Sequence, residues 1–362
     1  WLSAETIYNQ SAEPIKRRGV NVMIRVTAPG RAGIIGNPTD GYGGTMIACS
    51  IKNRAEVTIE ESKELIIENE FGRKVLKWKN DFENQNDYFD LVRAVLRYFK
   101  LYDLKAKITT RSNIPVQAGL SGSTALLSAI LSAVVAFTGQ KHNKYELAEL
   151  NRVIELHYMK CQCGYQDAYM TTFGGLNYLD FRGKEYYKEL EKEIYATVEP
   201  LAPFVEKLPF VIAHTGIKHH SGSFHKPIRD RWLEGDRQVI EGYNEIAHIA
   251  REGKKALLKQ DWDELGYLMN KNHEIQDSIS DSGQQNNYMI KVAKENGALA
   301  AKLAGAGGGG TIIALTLDPK RTIDALKEAG AEEFIELEPL AQGVMVERYE
   351  DSREYVAATR HG

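Results

Sequence analysis

A short run of small residues in the middle of the chain has the composition of an anion-binding loop. In order, it consists of Gly119, Leu120, Ser121, Gly122, Ser123, Thr124 and Ala125. Glycines let backbone N–H groups approach an anion, and a helix that begins at such a loop directs its positive end to the same place. The hydroxyls of Ser123 and Thr124 add oxygens that can bind phosphate or Mg²⁺. The alternative is an ordinary serine or threonine N-cap without a ligand.

Two further glycine clusters flank this loop in the sequence. Six glycines lie between Gly30 and Gly44, and five lie between Gly305 and Gly310. The second cluster satisfies GxGxxG, but it follows a predicted helix and precedes a predicted strand, which reverses the order found in dinucleotide-binding βαβ units. No GxxxxGK[ST] motif occurs, which argues against a P-loop. We therefore expect these glycines to pack against a ligand or the other domain.

A histidine-rich segment lies in the second half of the chain. Four histidines fall within residues 214–225, but no CxxC or HExxH motif accompanies them, so a loop that closes over a substrate is favoured over a metal site. His225 belongs to this expected loop. Lys218, Arg229 and Arg231 supply cations for an anionic group on the substrate. Because Arg229 and Arg231 are two residues apart on a predicted helix, only one of them can face a single site.

The elements expected to position these residues mix strands and helices in both halves of the chain. Alternating and β-branched residues predict strands at 23–28, 51–60, 63–70, 105–110, 174–180, 210–213, 311–317 and 344–349. Helical spacing predicts helices at 87–101, 121–138, 145–160, 227–259, 261–278, 286–303 and 319–329. The helix at 121–138 is apolar almost all round and is expected to be buried. The absence of strict βαβ alternation indicates an α+β fold.

Length and local composition predict two domains. The chain has 362 residues, and a typical domain has about 100–200 residues, so the length suggests two domains. The hydrophobic pattern weakens around the prolines at 200–209, which indicates a junction. We assign residues 1–22 to an N-terminal extension, residues 23–205 to the N-terminal domain and residues 206–362 to the C-terminal domain. Each glycine cluster is expected at a junction between a strand and a helix, with Pro227 at a first helical position.

The composition argues against several classes of function. The net charge is −3, from 46 basic and 49 acidic residues, which argues against a nucleic-acid partner. No apolar run reaches the ~18 residues of a membrane span, so no membrane partner is expected. Cys49, Cys161 and Cys163 are too few for a disulfide framework and favour a reducing, cytoplasmic location, with the Cys161-x-Cys163 pair interpreted as structural.

Taken together, the three glycine motifs resemble those of the GHMP kinases, the family of galactokinase, homoserine kinase, mevalonate kinase and phosphomevalonate kinase. Residues 28–36 (APGRAGIIG), 115–125 (PVQAGLSGSTA) and 302–309 (KLAGAGGG) are similar to the first, second and third family motifs and occur in the expected order. The resemblance implies phosphoryl transfer to a small molecule with ATP and Mg²⁺. It also implies an N-terminal domain like ribosomal protein S5 domain 2 and a ferredoxin-like C-terminal domain.

The resemblance also implies catalytic roles. Asp167 matches the acidic position shortly before the family's Gly-Gly-Leu, so it is expected to orient the acceptor hydroxyl and take its proton. Without the resemblance it would be interpreted as an N-cap or surface residue. Arg31 matches a position where relatives carry a cation, which stabilises the carboxylate and the transferred phosphoryl group. Glu155 lies one position away from the magnesium-binding Glu of some members, and with Ser123 or Thr124 it is expected to bind Mg²⁺.

The segment after the first motif carries information on the substrate. Residues 37–44 (NPTDGYGG) resemble the galactokinase segment in which an Asp holds sugar hydroxyls, so Asp40 is expected to bind a sugar. Asn37 and Pro38 replace the Glu-His of galactokinases and are similar to the Asn-Pro of plant glucuronokinases, which places Asn37 at the substrate. The other expected substrate-binding residues are Gly307, Gly308, His225 and Arg231.

The implied reaction is transfer of the γ-phosphate of ATP to a sugar hydroxyl, with the anomeric hydroxyl of a uronic acid such as glucuronate as the favoured acceptor. A heptose phosphate or another hexose is the alternative acceptor. A ligand-sensing protein on a kinase scaffold is the alternative from a different class, although a sensor need not keep Asp167. A serine hydrolase built on Ser121 is disfavoured because no GxSxG motif is present.

Overall fold

Two β-sheets with helices packed on them form the chain, as the α+β prediction requires. The computed structural model describes residues 21–184, 194–216, 221–305 and 310–351, with residues 21, 221–226, 350 and 351 described for their backbone only. Its strands are β1 (Asn21–Ile35), β2 (Thr45–Glu61), β3 (Leu65–Asn69), β4 (Gly72–Leu76), β5 (Ala106–Ser112), β6 (Leu176–Asp180), β7 (Thr197–Pro200), β8 (Phe210–His214), β9 (Ala298–Leu303), β10 (Thr311–Thr316), β11 (Glu333–Ile335) and β12 (Met345–Asp351). Its helices are α1 (Asp90–Tyr98), α2 (Gly122–Thr138), α3 (Lys144–Val153), α4 (Gln166–Phe173), α5 (Ser221–Leu233), α6 (Arg237–Lys259), α7 (Trp262–Ile279), α8 (Gln284–Glu295) and α9 (Pro319–Glu328).

The larger sheet has the strand order β12-β1-β2-β5-β3-β4, and β6 joins it by pairing with β2 and β7. Helix α2 packs on β1 and β2 and buries nearly its whole length, including Leu127, Ile130 and Val134. This burial follows from its apolar surface, since a helix without a polar face has no side to present to water. Gly139 ends the helix in a left-handed conformation with φ of 75°.

The first glycine motif is part of a strand rather than a turn. Strand β1 was predicted to end at residue 28, but it continues to Ile35 and pairs with β2 along its length. Register shifts occur between Pro29 and Arg31 and again between Gly33 and Ile35. Irregular pairing of this kind is how a strand accommodates glycine and proline while it bends.

The smaller sheet has the antiparallel order β11-β8-β10-β9, and it corrects a second prediction. Residues 297–303 were predicted to continue a helix, but they lead into and form β9. The sequence of β9 is alanine-rich and favours a helix, yet pairing with β10 and cover from α7 and α8 override that propensity. The third glycine cluster therefore connects two strands, and only the cluster at 119–125 lies at a strand–helix junction.

Helices α6 and α7 join the two sheets, because α6 contacts β2 and α7 contacts both β1 and β9. The chain changes from the first sheet to the second between Pro200 and Phe210. Strand β12 then returns to the first sheet, so the range 206–362 predicted for the C-terminal domain includes a strand of the other sheet.

Pro227 lies inside α5 rather than at its start. None of the helices described for this chain has both the length and the apolar character needed to cross a membrane.

Candidate active site

The loop before α2, residues 117–121, has an irregular backbone and leads into a helix without a side-chain cap. Its backbone takes left-handed conformations at Gln117, Gly119 and Ser121, with φ of 57°, 76° and 61°. No side chain caps the start of α2, so N–H groups of its first turn are left for a ligand. The hydroxyl of Ser121 is buried and has no hydrogen-bond partner among the described residues. An orphaned buried hydroxyl beside uncapped N–H groups fits an anion such as phosphate.

The three glycine motifs meet at this loop through their backbones. A Cβ atom on Gly30 would lie 2.6 Å from the carbonyl oxygen of Leu120, and one on Gly305 would lie 2.9 Å from that of Gly119. The backbone N–H of Arg31 donates to Leu120 O at 3.1 Å. Glycine is thus required at positions 30 and 305 because any side chain would push the motifs apart.

Arg31 connects the anion-binding loop to Asp167. Its Nε donates to Asp167 Oδ1 at 2.8 Å, and its Nη1 donates to Gly119 O at 2.6 Å. The Arg31 side chain is only 6% exposed, whereas Asp167 is 32% exposed. Asp167 lies in the first turn of α4. The pair therefore presents a partly accessible carboxylate to a ligand while a buried cation fixes its position.

Asp40 holds the start of the helix that carries Asp167. Its Oδ2 accepts the backbone N–H groups of Tyr165 and Gln166 at 2.7 and 2.8 Å, and the residue is buried. A Cβ on Gly164 would lie 1.9 Å from the same oxygen. A carboxylate at a helix N-terminus satisfies free N–H groups and the helix dipole. The structure thus gives Asp40 a role in positioning α4, in addition to the sugar contact predicted for it.

Glu155 and Thr124 form a buried oxygen pair on the other side of the loop. The Thr124 hydroxyl donates to Glu155 Oε1 at 2.8 Å, whereas Ser123 is exposed. Burial raises the pKa of Glu155 to about 7, with the charge of Asp167 contributing in the same direction. Glu155 lies in a π-helical turn, Ile154–Tyr158. Such a turn holds one residue more than an α-helical turn. The extra residue accommodates the one-residue offset between Glu155 and the position of the magnesium-binding Glu in other members of the family.

These oxygens suit Mg²⁺ but do not form a complete cage. Within the described ranges, no group of three His, Cys, Asp or Glu side chains surrounds a metal-sized site. Mg²⁺ prefers oxygen ligands and commonly keeps waters and substrate phosphates beside one or two carboxylates. The buried carboxylate of Glu155, in its ionised form, and the adjacent Thr124 hydroxyl fit that pattern, and the burial of Thr124 favours it over the exposed Ser123 as the second protein ligand.

Cys163, which the sequence analysis interprets as structural, lies next to Glu155. Its thiol is hydrogen bonded to Glu155, and burial raises its pKa well above the ordinary value. A thiol that keeps its proton is a poor zinc ligand. The thiol therefore serves here as a neutral hydrogen-bond partner of Glu155.

Asn37 was predicted to contact the substrate, and the structure shows its contacts within the chain. The side chain is buried, and its Nδ2 donates to Gly305 O at 2.6 Å. Its Oδ1 accepts from Lys302 Nζ at 2.7 Å. Asn37 therefore ties the first glycine motif to the third, and its contact with the substrate stays a prediction. Lys302 was given no role from the sequence, although a single lysine in an otherwise apolar strand is a signal that could have been used.

The two arginines of α5 separate as their spacing predicts. Arg231 binds Asp236 at 2.7 Å and the backbone of Ile279 at 2.8 Å, so it supports the start of α6, and its substrate role stays a prediction. Arg229 donates from Nη1 to Gln162 Oε1 at 2.9 Å, in the segment just before α4. Of the two residues, Arg229 is therefore the one on the side of Asp40 and Asp167.

Several predicted residues cannot be placed. Gly307 and Gly308 lie outside the described residues, as does Lys218, and the His225 side chain does as well. His214 is described: it is buried, and its Nδ1 lies 2.9 Å from Gly310 O, at the end of the third glycine loop. The residues that the structure brings together are thus those around the anion-binding loop, Arg31, Asp167 and Glu155.

Family models match two parts of the chain. The model described as GHMP kinases N terminal domain matches residues 90–175, and the model described as GHMP kinases C terminal matches residues 254–336. The first match contains the anion-binding loop, Glu155 and Asp167. The second contains β9, Lys302 and the third glycine cluster.

Similar proteins cover most of the same range. Glucuronokinase 1 of Arabidopsis thaliana is 31% identical over 301 residues, which is 77% of this chain and 81% of the relative. The solved structure of Lactococcus lactis galactokinase complexed with galactose is similar with a TM-score of 0.76 at 18% identity, over 89% of this chain and 95% of that one. A D-glycero-D-manno-heptose 1-phosphate kinase from Bacteroides thetaiotaomicron has a TM-score of 0.67 at 23% identity, over 90% and 98% of the two chains. Both solved structures support the fold.

Proposed function

This chain belongs to the GHMP kinase family and is a sugar kinase, and from that premise we propose that it transfers the γ-phosphate of ATP to the anomeric hydroxyl of a uronic acid such as glucuronate. One observation carries the catalytic part of the proposal. Arg31 binds both Asp167 and Gly119 of the anion-binding loop, so the expected base and the expected phosphate site share one fixed cation.

The roles of the chain's own residues follow from this arrangement. Backbone N–H groups at the start of α2 bind the phosphates of ATP. Asp167 orients the acceptor hydroxyl and takes its proton while that oxygen bonds to the γ-phosphorus and ADP leaves. Arg31 holds Asp167 in place and counters negative charge on the transferred phosphoryl group. Mg²⁺ held by Glu155 and Thr124 would supply further neutralisation of phosphate charge when bound.

An anionic acceptor is supported by the surroundings of Asp40. Arg229 lies close enough to Tyr42 for its charge to oppose the rise in the pKa of that tyrosine, a rise caused by burial, by Asp40 and by Asp230. A guanidinium can bind a carboxylate through two parallel hydrogen bonds, and this is the role proposed for Arg229 toward the sugar. The relative Glucuronokinase 1, whose printed name denotes a kinase of a uronic acid, agrees with this acceptor.

A screen of acceptors tests the proposal. ADP release is measured with ATP and Mg²⁺ for glucuronate, galacturonate, glucose, galactose, mevalonate and heptose phosphates, and the product is located by ³¹P and ¹³C NMR. The expected result is turnover with a uronic acid and a phosphate on C1. Turnover with heptose phosphates alone would instead favour that acceptor class, which also carries an anion for Arg229. ADP release with none of these acceptors would contradict the proposed activity.

A further inference from the structure

Lys302 is a fully buried cation with neutral partners. It lies near the end of β9, and the residue is 0% exposed. Its Nζ donates to Asn37 Oδ1 at 2.7 Å and to Leu303 O at 2.6 Å, and neither acceptor carries a charge. In the part of the chain that the structure describes, no carboxylate is within ion-pair distance of it. Residues 306–309, which follow in the sequence, are alanine and glycine and add no acid.

The charges that face Lys302 are not negative. Arg31 acts on it from β1 and, after burial, is the second cause that lowers its pKa, which is about 7. His273 approaches from α7, and burial together with Lys302 lowers the pKa of His273 to about 4, so that ring is neutral at physiological pH. The negative charge of Asp277 acts on His273, whose pKa it raises, so it partly opposes the effect of burial and of Lys302. A buried cation beside another cation is unfavourable unless an anion completes the site.

The position of Lys302 shows where such an anion belongs. Leu303 O, which accepts from Lys302, lies two residues before Gly305, and Asn37 connects the ammonium group to Gly305. Gly305 in turn packs against Gly119 of the anion-binding loop. Asn37 and Gly305 thus connect Lys302 to the loop on which the proposed phosphates of ATP would lie.

We propose that Lys302 is a positioning residue whose buried positive charge supports nucleotide binding through Asn37 and Gly305, with the phosphates of the bound nucleotide as its missing counter-charge. This inference rests on the proposed ATP-dependent function. A positioning role of this kind differs from a purely structural role, because a structural role needs only the hydrogen bond to Asn37 and not the positive charge of Lys302.

Three substitutions separate charge from hydrogen bonding. Lys302→Met removes both, Lys302→Gln keeps an N–H donor without charge, and Lys302→Arg keeps the charge. ADP affinity of the full chain is measured by calorimetry at pH 6.0. We expect the Met and Gln variants to bind ADP at least tenfold more weakly than the wild type and the Arg variant to remain within about threefold. Full affinity in the Gln variant would overturn the proposal, since the contact alone would then suffice.

The pH dependence gives a readout that a structural role would not change. In the protein without nucleotide, Lys302 loses its proton as the pH rises through about 7. A bound phosphate favours the protonated form of Lys302, so ADP binding at higher pH must include uptake of that proton. The ADP affinity of the wild type should therefore fall with rising pH relative to the ADP affinity of Lys302→Met. Comparison between variants at each pH cancels the titration of ADP and of Glu155, which they share. We expect the wild-type advantage to shrink several-fold between pH 6.0 and 8.5, and a constant ratio would contradict the inference.

Lys184 provides a matched control. It is also fully buried, but its Nζ binds the Glu149 carboxylate at 2.8 Å. Lys184→Met should lower thermal stability while ADP affinity stays within twofold of wild type at both pH values. Circular dichroism of every variant shows whether it is folded. If the folded wild-type protein itself fails to bind ADP, the proposed function fails; if it binds and Lys302→Met binds equally well, only the inference about Lys302 fails.

Discussion

Arg31 and Asp167 are the residues on which the proposed chemistry depends most directly. Arg31 is almost fully buried and Asp167 is one-third exposed, so Arg31 can hold the carboxylate in place while the carboxylate stays accessible to a substrate. A base needs both properties when it must accept a proton from a substrate hydroxyl in one orientation. Their pairing was predictable because both residues belong to sequence motifs whose order along the chain is specific.

Replacement of the base tests this pair. Asp167→Asn keeps the shape and the hydrogen bond to Arg31 but removes the proton acceptor, so we expect kcat to fall by about 10²–10⁴-fold. ADP affinity should change by no more than about twofold, because Asp167 is not part of the anion-binding loop. Steady-state kinetics and calorimetry check the two halves of the prediction. Normal turnover in this variant would exclude Asp167 as the base.

The burial of Glu155 leads to a prediction about stability. Its pKa is raised from 4.5 to about 7, so the folded protein keeps a proton that the unfolded chain releases between these pH values. This costs stability progressively as the pH rises from about 4.5 to 7, by up to about 3 kcal/mol, and the penalty persists above pH 7. Glu155→Gln removes it, so the variant should gain stability over wild type at pH 8 and not at pH 4.5.

Urea denaturation of both proteins at the two pH values measures this difference. The wild type should also gain stability when Mg²⁺ is added at pH 8, whereas Glu155→Gln should not. A stability difference that is the same at pH 4.5 and pH 8 would contradict the assigned burial of the carboxylate.

At the scale of secondary structure, the start of α4 is the element that links the substrate segment to the base. Asp40 accepts two backbone N–H groups there, so the segment after β1 determines where Asp167 lies. The helices around the site were largely predictable from their hydrophobic periodicity. Strand β9 was not, because its alanine-rich sequence favours a helix and only its pairing with β10 decides otherwise. The contacts of Asn37 within the chain could not be predicted for a similar reason: its partners, Lys302 and Gly305, lie more than 260 residues away.

Removal of the Asp40 carboxylate should displace α4. Asp40→Ala leaves two N–H groups without an acceptor, so we expect a loss of about 1–2 kcal/mol in the free energy of unfolding and at least a tenfold loss in kcat. Asp236→Ala is the matched control, since Asp236 caps α6 through Gln238 and Val239, and it should lower stability while kcat is retained. Denaturation curves and steady-state kinetics of both variants check this. Wild-type kcat in Asp40→Ala would show that α4 is held by other contacts.

At the scale of the whole molecule, the last described strand, β12, pairs with the first, β1, and completes the larger sheet. Strand β12 pairs with β1 over seven residues, with Val26 opposite Val346. The larger sheet therefore contains segments from both ends of the described chain, while the smaller sheet lies wholly between them in sequence. A division at a single point in the sequence could not capture this, because strand pairing over such a distance leaves no local signal.

A truncation tests the importance of this closure. A chain that ends at Val344 lacks β12 and leaves β1 as an open edge, so we expect a lower melting temperature and concentration-dependent aggregation. A chain that ends at Asp351 keeps the strand and is the control. Calorimetry and light scattering distinguish the two. Equal melting temperatures would show that β12 contributes little to the sheet.

The pairing of β1 with β12 also has a consequence for synthesis in the cell. Val26 and Val346 are 320 positions apart (346 minus 26), and ribosomes add about 5–20 residues per second, so β1 is exposed for roughly 15–65 s before its partner strand exists. During that time the growing chain carries an unpaired strand edge that other nascent chains can join. Completion of the larger sheet therefore waits until β12 has been made, and the yield of active protein should depend on chaperone capacity and on the rate of translation.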